Sequence, residues 1–198
     1  MTLDIFGDLT KSVVTLLVVI DPIASVPVIM TLTSKMGARQ RASISNVTII
    51  TVAILLFVFA FVGNAIFSVF GISIFSFMIA GGVLLFIVAI ELLTHGEWRF
   101  GSQSLEDESG IVPLAFPLLA GPGALTLVIL SFETYGSLVT VLSIIIVLGI
   151  TYAVLRLVGP IYRLLGKRGS MIVTRIFAII VAAFAVQFVI DGIKQTFH

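Results

Sequence analysis

The sequence predicts an all-α integral membrane protein: six transmembrane helices forming two inverted three-helix repeats, with helices 1 and 4 broken near the midplane. Three observations carry that prediction. The 198 residues are 59% hydrophobic and 11% charged, with a mean hydropathy of +1.25, whereas soluble domains carry about 25% charged residues. The apolar residues fall into six continuous runs. Two of these runs each hold a pair of prolines five apart, and the pairs repeat at a constant offset of 95 (117 − 22 and 122 − 27).

Composition excludes several classes. So little charge cannot cover a water-soluble globule, and a net charge of +1 offers no basic stripe for nucleic acid. Without cysteine there are no disulfides, thiolate nucleophiles or Cys-based metal sites. No HExxH, GxSxG or P-loop pattern occurs, so the chain is not expected to be an enzyme. No cofactor or metal is expected, and His95 and His198 fall at a loop and a terminus. The first apolar run is not expected to be a secretory signal, because it follows acidic residues (Asp4, Asp8) and no small-residue cleavage site comes after it.

The six segments are Phe6–Ser34, Ile44–Phe70, Ile74–Leu93, Gly110–Phe132, Leu138–Leu157 and Met171–Ile193. A spanning helix needs about 20 apolar residues, so six use about 120 and leave about 78 for ends and connections. Helices are favoured over a barrel because the apolar runs are continuous rather than alternating. The organisation is therefore a first repeat over 1–94, a polar cytoplasmic linker over 95–109 and a second, inverted repeat over 110–198. The odd-numbered connections carry or flank Lys35, Arg39, Arg41, Arg99, Arg156, Arg163, Lys167, Arg168 and Arg175, against only Lys11 and Lys194 elsewhere. Positive residues stay in the cytoplasm, which places both termini outside.

The proline pairs lie in DPIASVP (Pro22, Pro27) and FPLLAGP (Pro117, Pro122). Proline within a helix removes a hydrogen bond and clashes with the preceding turn, at about 3 kcal/mol. With Gly121 and Gly123 beside Pro122, a break is expected rather than a kink. Pro27 and Pro122 are the expected first residues of the following half-helices, because proline at that position loses no bond. Each half-helix start exposes free N–H groups and about half a positive charge. Three spans per half is odd, so the repeat is inverted and the two starts face one another. Broken helices in corresponding positions of two halves are the pattern of a transporter site, here one suited to an anionic group.

Asp21 is the one acidic residue deep in a segment. It is expected to meet a substrate ammonium or coupling ion, to cap the turn that begins at Pro22, or both. Thr31 and Thr126 follow their prolines by four residues and offer hydroxyls. Asn46, Thr48 and Gln187 are expected in helix–helix hydrogen bonds or on a cavity wall. Glu91 and Asp191 are expected at solvated segment ends, and Gly81-Gly82 at a close helix approach beside the broken segments.

DPIASVP, MIAGGVLLFIVAIELL, IVPLAFPLLAGPGAL, and RLLGKRG followed by QFVIDGI together resemble the MarC/SnatA family of bacterial and archaeal six-helix inner-membrane proteins. The resemblance spans nearly the whole chain. It implies transport of small neutral amino acids such as glycine and alanine, driven by an ion gradient with protons favoured. It also implies broken first and fourth helices and places the family's acidic residue at Asp21. Ala24-Ser25 stand where many members carry Gly-Asn.

The candidate substrate-binding residues are Asp21, Pro22, Ala24, Ser25, Val26, Pro27 and Thr31 in the first half. In the second they are Pro117, Ala120, Gly121, Pro122, Gly123 and Thr126. Asp21 is also the coupling-ion candidate. The expected partners are a small zwitterionic amino acid, membrane lipid and a second copy of the chain, and no nucleic acid. An uncoupled channel or exporter, and a non-transporting scaffold, remain the alternative readings.

Overall fold

The computed structural model describes residues 5–32, 36–95 and 114–196, and these are helical throughout apart from short turns. The elements are α1 (Ile5–Ile20), α2 (Pro22–Leu32), α3 (Ala38–Phe70) and α4 (Ile74–His95), then a short wide turn (Leu114–Leu119) and a helical stretch Pro122–Thr196. Gly136 (φ 80°, ψ 177°) and Gly166 (φ 63°, ψ −179°) divide that last stretch into α5 (122–135), α6 (137–165) and α7 (167–196). Only glycine adopts such angles readily, so each acts as an elbow without a loop. At the first elbow α5 and α6 fold against each other, and Ser131 Oγ lies 3.0 Å from Thr140 Oγ1. The linker expected over 95–109 and the start of the fourth segment at 110–113 lie outside the described residues, save His95, which ends α4.

Four described stretches are long and apolar enough to cross a membrane: Arg39–Phe70, Ile74–Thr94, Pro122–Ile161 and Met171–Thr196. Their outer faces remain apolar, with Ile54, Phe61, Leu138, Ile145, Ile172 and Ile179 all more than half exposed. Large exposed apolar surface of this kind fits lipid and not water. The α3–α4 connection shows the local logic. Gly71 takes the left-handed conformation (φ 63°), and Ile72 N–H donates to Phe67 O at 3.0 Å. Ser73 Oγ then accepts from Ser76 N–H at 3.0 Å and caps α4. Together these are a glycine stop and a serine start.

The helices pack in antiparallel pairs. In α1 and α5, Ser12 Oγ bonds Ser131 Oγ at 3.0 Å, while Val19 approaches Gly123 at the other end. In α3 and α6, Tyr152 donates its hydroxyl hydrogen to Asn46 Oδ1, and Arg41 lies over Gly159. In α4 and α7, Gly82 faces Ala185 and Val189, and Gly192 faces Phe75 and Ile79. Sequence positions run in opposite directions within every pair.

The close approach expected at Gly81-Gly82 is present. A Cβ on Gly81 would fall 1.6 Å from Pro122 Cγ, and one on Gly82 would fall 2.8 Å from Ala185 O. Thus α4 is clamped at one point to both the start of α5 and the middle of α7. One expectation is corrected: Glu91 is not at a solvated end but only 8% exposed. Its helix turn faces the interior beside Leu92, which is fully buried.

Gly81→Val is expected to lower stability by about 1–3 kcal/mol or more, since Pro122 is backbone-anchored and cannot yield. Gly149→Ala, where an added Cβ meets nothing within 4 Å, should be neutral or stabilising by up to about 1 kcal/mol. Thermal unfolding of both variants in detergent checks the contrast.

Candidate functional site

The first interruption is one residue wide. Asp21 holds φ 40°, a left-handed conformation that side chains other than those of Asn, Asp and Gly adopt at a cost of about 1–2 kcal/mol. Its N–H closes α1 by donating to Leu17 O at 3.0 Å, and its carbonyl opens α2 by accepting Ser25 N–H at 3.3 Å. Ser25 Oγ donates to the same carbonyl at 3.2 Å. Asp21 is therefore the last residue of one helix and the N-cap of the next, with Pro22 in the first helical position, where a missing N–H is harmless. This corrects the assignment of Pro27 as the half-helix start: it lies within α2. The reason is that the left-handed Asp21 already breaks the helix, which restarts at Pro22, five residues earlier.

The second interruption is wider. Phe116 is extended (φ −140°, ψ 133°) and its bond to Pro117 is cis. Ala120 N–H reaches back five residues to Ala115 O at 2.8 Å. Gly121 then serves as N-cap of α5, accepting Leu125 N–H at 3.0 Å, with Pro122 in the first helical position. A side chain at Gly121 would fall 2.5 Å from Pro117 O, so only glycine fits. The two helix starts, Asp21-Pro22 and Gly121-Pro122, thus share one construction.

They also share one cavity. A space of about 210 Å³ is lined by Asp21 and Ser25 from the first break and by Leu118, Gly121 and Ala124 from the second. Val18, Val19 and Ile20 of α1, Leu85 of α4, and Val181, Phe184, Gln187 and Phe188 of α7 complete it. Its walls are mostly apolar, with Asp21, Ser25 and Gln187 as the polar side chains. Gln187 Nε2 also donates to Asp191 Oδ1 at 2.8 Å, one turn along α7. Each helix start carries roughly +0.5 of a charge, so the two together bring about one unit of positive charge to the cavity that the Asp21 carboxylate also lines.

Of the residues singled out by sequence, Asp21, Ser25 and Gly121 line the cavity. Pro22, Val26, Pro117, Ala120, Pro122 and Gly123 are buried behind them. The side chains of Ala24, Pro27 and Thr31 lie outside the described residues. Thr126 does not line the cavity. It shares a helix face with Ile129 and Glu133, which meet Gly63 and Asn64 of α3. Its buried Oγ1 has no hydrogen-bond partner. The lining from α4 and α7 was not singled out by sequence, save Gln187, whose polar side chain in an apolar run was the one available signal.

Gly123 sets how tightly the wall closes, because a Cβ there would lie 2.6 Å from Phe188 Cζ and 3.0 Å from Val19 Cγ1. Gly123→Ala is expected to destabilise the protein, and pairing it with Phe188→Leu should recover part of the loss. The expected coupling is about 0.5–3 kcal/mol in a double-mutant cycle of unfolding in detergent.

No solved structure matches the chain. A UPF0056 membrane protein of Archaeoglobus fulgidus is 37% identical, with 98% of this chain and 97% of the relative aligned. One from Pyrococcus horikoshii is also 37% identical, over 89% of the chain and 90% of the relative. One from Escherichia coli K12 is 30% identical, over 94% and 92%. The family model described as MarC family integral membrane protein matches residues 6–197. The chain belongs to the MarC family of multi-pass integral membrane proteins.

Proposed function

We propose that the protein is a secondary transporter of small neutral amino acids that works by alternating access around the 210 Å³ cavity. The observation that carries this reading is that both helix interruptions open onto that one cavity, the first of them bringing the Asp21 side chain to its wall. A zwitterion needs a place for a carboxylate and a place for an ammonium a few ångströms apart. The N–H groups at the starts of α2 and α5 offer the first, and the Asp21 carboxylate offers the second. The cavity lies below the roughly 300 Å³ at which pockets for drug-sized ligands begin. The apolar wall of Leu85, Val181, Phe184 and Phe188 leaves room for a short side chain only. Asp21 is also the group through which a coupling proton would act, and nothing in the reading calls for a catalytic step.

The same reading makes α1 and α2 two halves of one span, and the Leu114–Leu119 turn and α5 two halves of another. At 1.5 Å per residue, the 16 residues of α1 and 11 of α2 extend about 24 Å and about 16 Å. Together they exceed a hydrocarbon core of about 30 Å, with the break in its interior. That gives six spans in two inverted halves. The antiparallel pairing supports this: α3 lies on α6 and α4 on α7, the segments that the 95-residue offset equates. The loop charges then put both termini outside a prokaryotic cell membrane. Helices related this way rock or gate around the fixed site.

Asp21→Asn tests the reading cleanly, because asparagine tolerates the left-handed backbone as aspartate does. Proteoliposomes with wild-type protein are expected to accumulate labelled glycine under an imposed pH gradient. The variant should fold normally and lose at least about tenfold of that accumulation, the effect of a charged hydrogen bond. Equilibration without accumulation in the wild type would instead mean an uncoupled channel, and absence of flux a scaffold.

A further inference from the structure

A second cavity, of about 270 Å³, lies along α1 and α5 toward the end where α1 begins, next to the Gly136 elbow. Its character is unlike the first: Ser12, Thr15, Ser131, Thr134, Thr140 and Ser143 all line it. Exposed Lys11 stands at its rim and makes no ion pair among the described residues. The transport reading makes no use of these groups.

Their hydrogen bonds have a direction. Ser12 Oγ and Ser131 Oγ are 3.0 Å apart, Ser131 Oγ and Thr140 Oγ1 are 3.0 Å apart, and Thr140 Oγ1 lies 3.0 Å from Gly136 O. A carbonyl only accepts, and a hydroxyl has one hydrogen. All three bonds form together only if Thr140 donates to Gly136 O, Ser131 to Thr140 and Ser12 to Ser131. Ser143 Oγ likewise spends its hydrogen on Val139 O at 2.7 Å. Ser12, Thr140 and Ser143 are each less than a tenth exposed, so these bonds are shielded from water. At the buried end of the group every donor is committed, whereas Thr15 and Thr134, both exposed, stand with Tyr135 outside this set of bonds. What the four bonded hydroxyls still offer to the cavity is lone pairs, with Ser12 at the head of the chain accepting from nothing.

The buried end of the cavity offers acceptors only and so selects a donor-only ligand group, namely an ammonium, while the groups that can donate, Lys11, Thr15 and Thr134, are exposed. Helix–helix packing alone accounts for the chain of bonds, but not for the space left beside it. The single cation, Lys11, sits at the rim and not against the hydroxyls, so a ligand that presents an ammonium inward presents an anion outward to Lys11. We infer that this cavity is a second, outer binding site for a small zwitterion, its ammonium on the Ser12 and Ser143 oxygens and its carboxylate at Lys11. The choice of glycine as probe rests on the transport reading above; the acceptor wall does not. The two cavities share the α1–α5 seam: Leu16 and Val128 line this one, while Ile20 and Ala124, one turn along, border the break. The outer site therefore stands where a substrate would wait before reaching Asp21.

The test is equilibrium binding of labelled glycine to the full chain in detergent, with methylamine and acetate as half-ligand competitors. Wild type is expected to show two classes of site. Ser12→Ala with Ser143→Ala, and separately Lys11→Met, should weaken one class about tenfold, while Asp21→Asn removes the other. Acetate should compete at the outer class in wild type and fail to do so in Lys11→Met, where methylamine still competes. Thr140→Val, equal in size but without a hydroxyl, should weaken the outer class, and Thr140→Ser should restore it, which separates lost chemistry from lost packing. A single class of site, or outer variants with the wild-type isotherm, overturns the outer site and leaves the transport reading standing. Labelled sodium binding that is lost in Ser143→Ala but unaffected by Lys11→Met would assign the oxygens to a metal cation and overturn the zwitterion. No glycine binding at all in wild type overturns both readings.

Discussion

A backbone N–H inside a membrane has no water to turn to, and that constraint governs this structure. A helix answers it by bonding every N–H to a carbonyl four residues back; an interruption reopens the question at each new start. The protein has two such starts, at Asp21-Pro22 and Gly121-Pro122, and it answers in the same way at both. Proline supplies the first helical position, where one N–H is simply missing, and the N-cap carbonyl takes the N–H of the fourth residue along. The N-cap residues of both starts, Asp21 and Gly121, line a common cavity, and Asp21 brings an acidic side chain to it.

The rest of the packing serves to keep those starts in place. Gly81 lets α4 ride directly on Pro122, Gly123 lets Phe188 and Val19 close over the other side, and Gly82 brings α7 onto α4 one residue further on. Three glycines within two short stretches thus seat the second break against three helices. The first break is held differently, by a non-glycine residue in a left-handed conformation. Strain of this kind persists only where neighbours over-determine it. Here the neighbours are Ile20, 2% exposed, and Ser25, 1% exposed, which anchor the two sides of Asp21.

The polarity of the interior is concentrated. Apart from the break cavity, buried hydroxyls gather at the α1–α5–α6 junction, where Ser12, Ser131 and Thr140 form a directed chain. Most other buried hydroxyls with a partner, such as that of Thr151, bond the carbonyl one turn back and add nothing to a site. Two polar patches, with Ser12 and Asp21 about two and a half turns apart along the same helix pair, give the seam between α1 and α5 a chemical gradient, from hydroxyl-rich at one end to carboxylate-bearing at the break.

The one-dimensional pattern sufficed for the membrane class, the apolar runs, a helix break within DPIASVP, a helix start at Pro122 and the prominence of Asp21, because each depends on residue type and local spacing. The close approach at Gly81-Gly82 was legible for the same reason: a Gly-Gly pair in an apolar helix has few other uses. The exact break in the first half was not. DPIASVP offers two prolines, and only the conformation of Asp21 decides that the helix restarts at Pro22 and runs through Pro27. Nor did spacing tell that Thr126 faces α3, that Glu91 is buried, or that α4 and α7 furnish five of the thirteen residues of the cavity wall. Those facts belong to the tertiary structure because they depend on which faces of distant helices meet, and helical periodicity gives a residue's face without naming its neighbour.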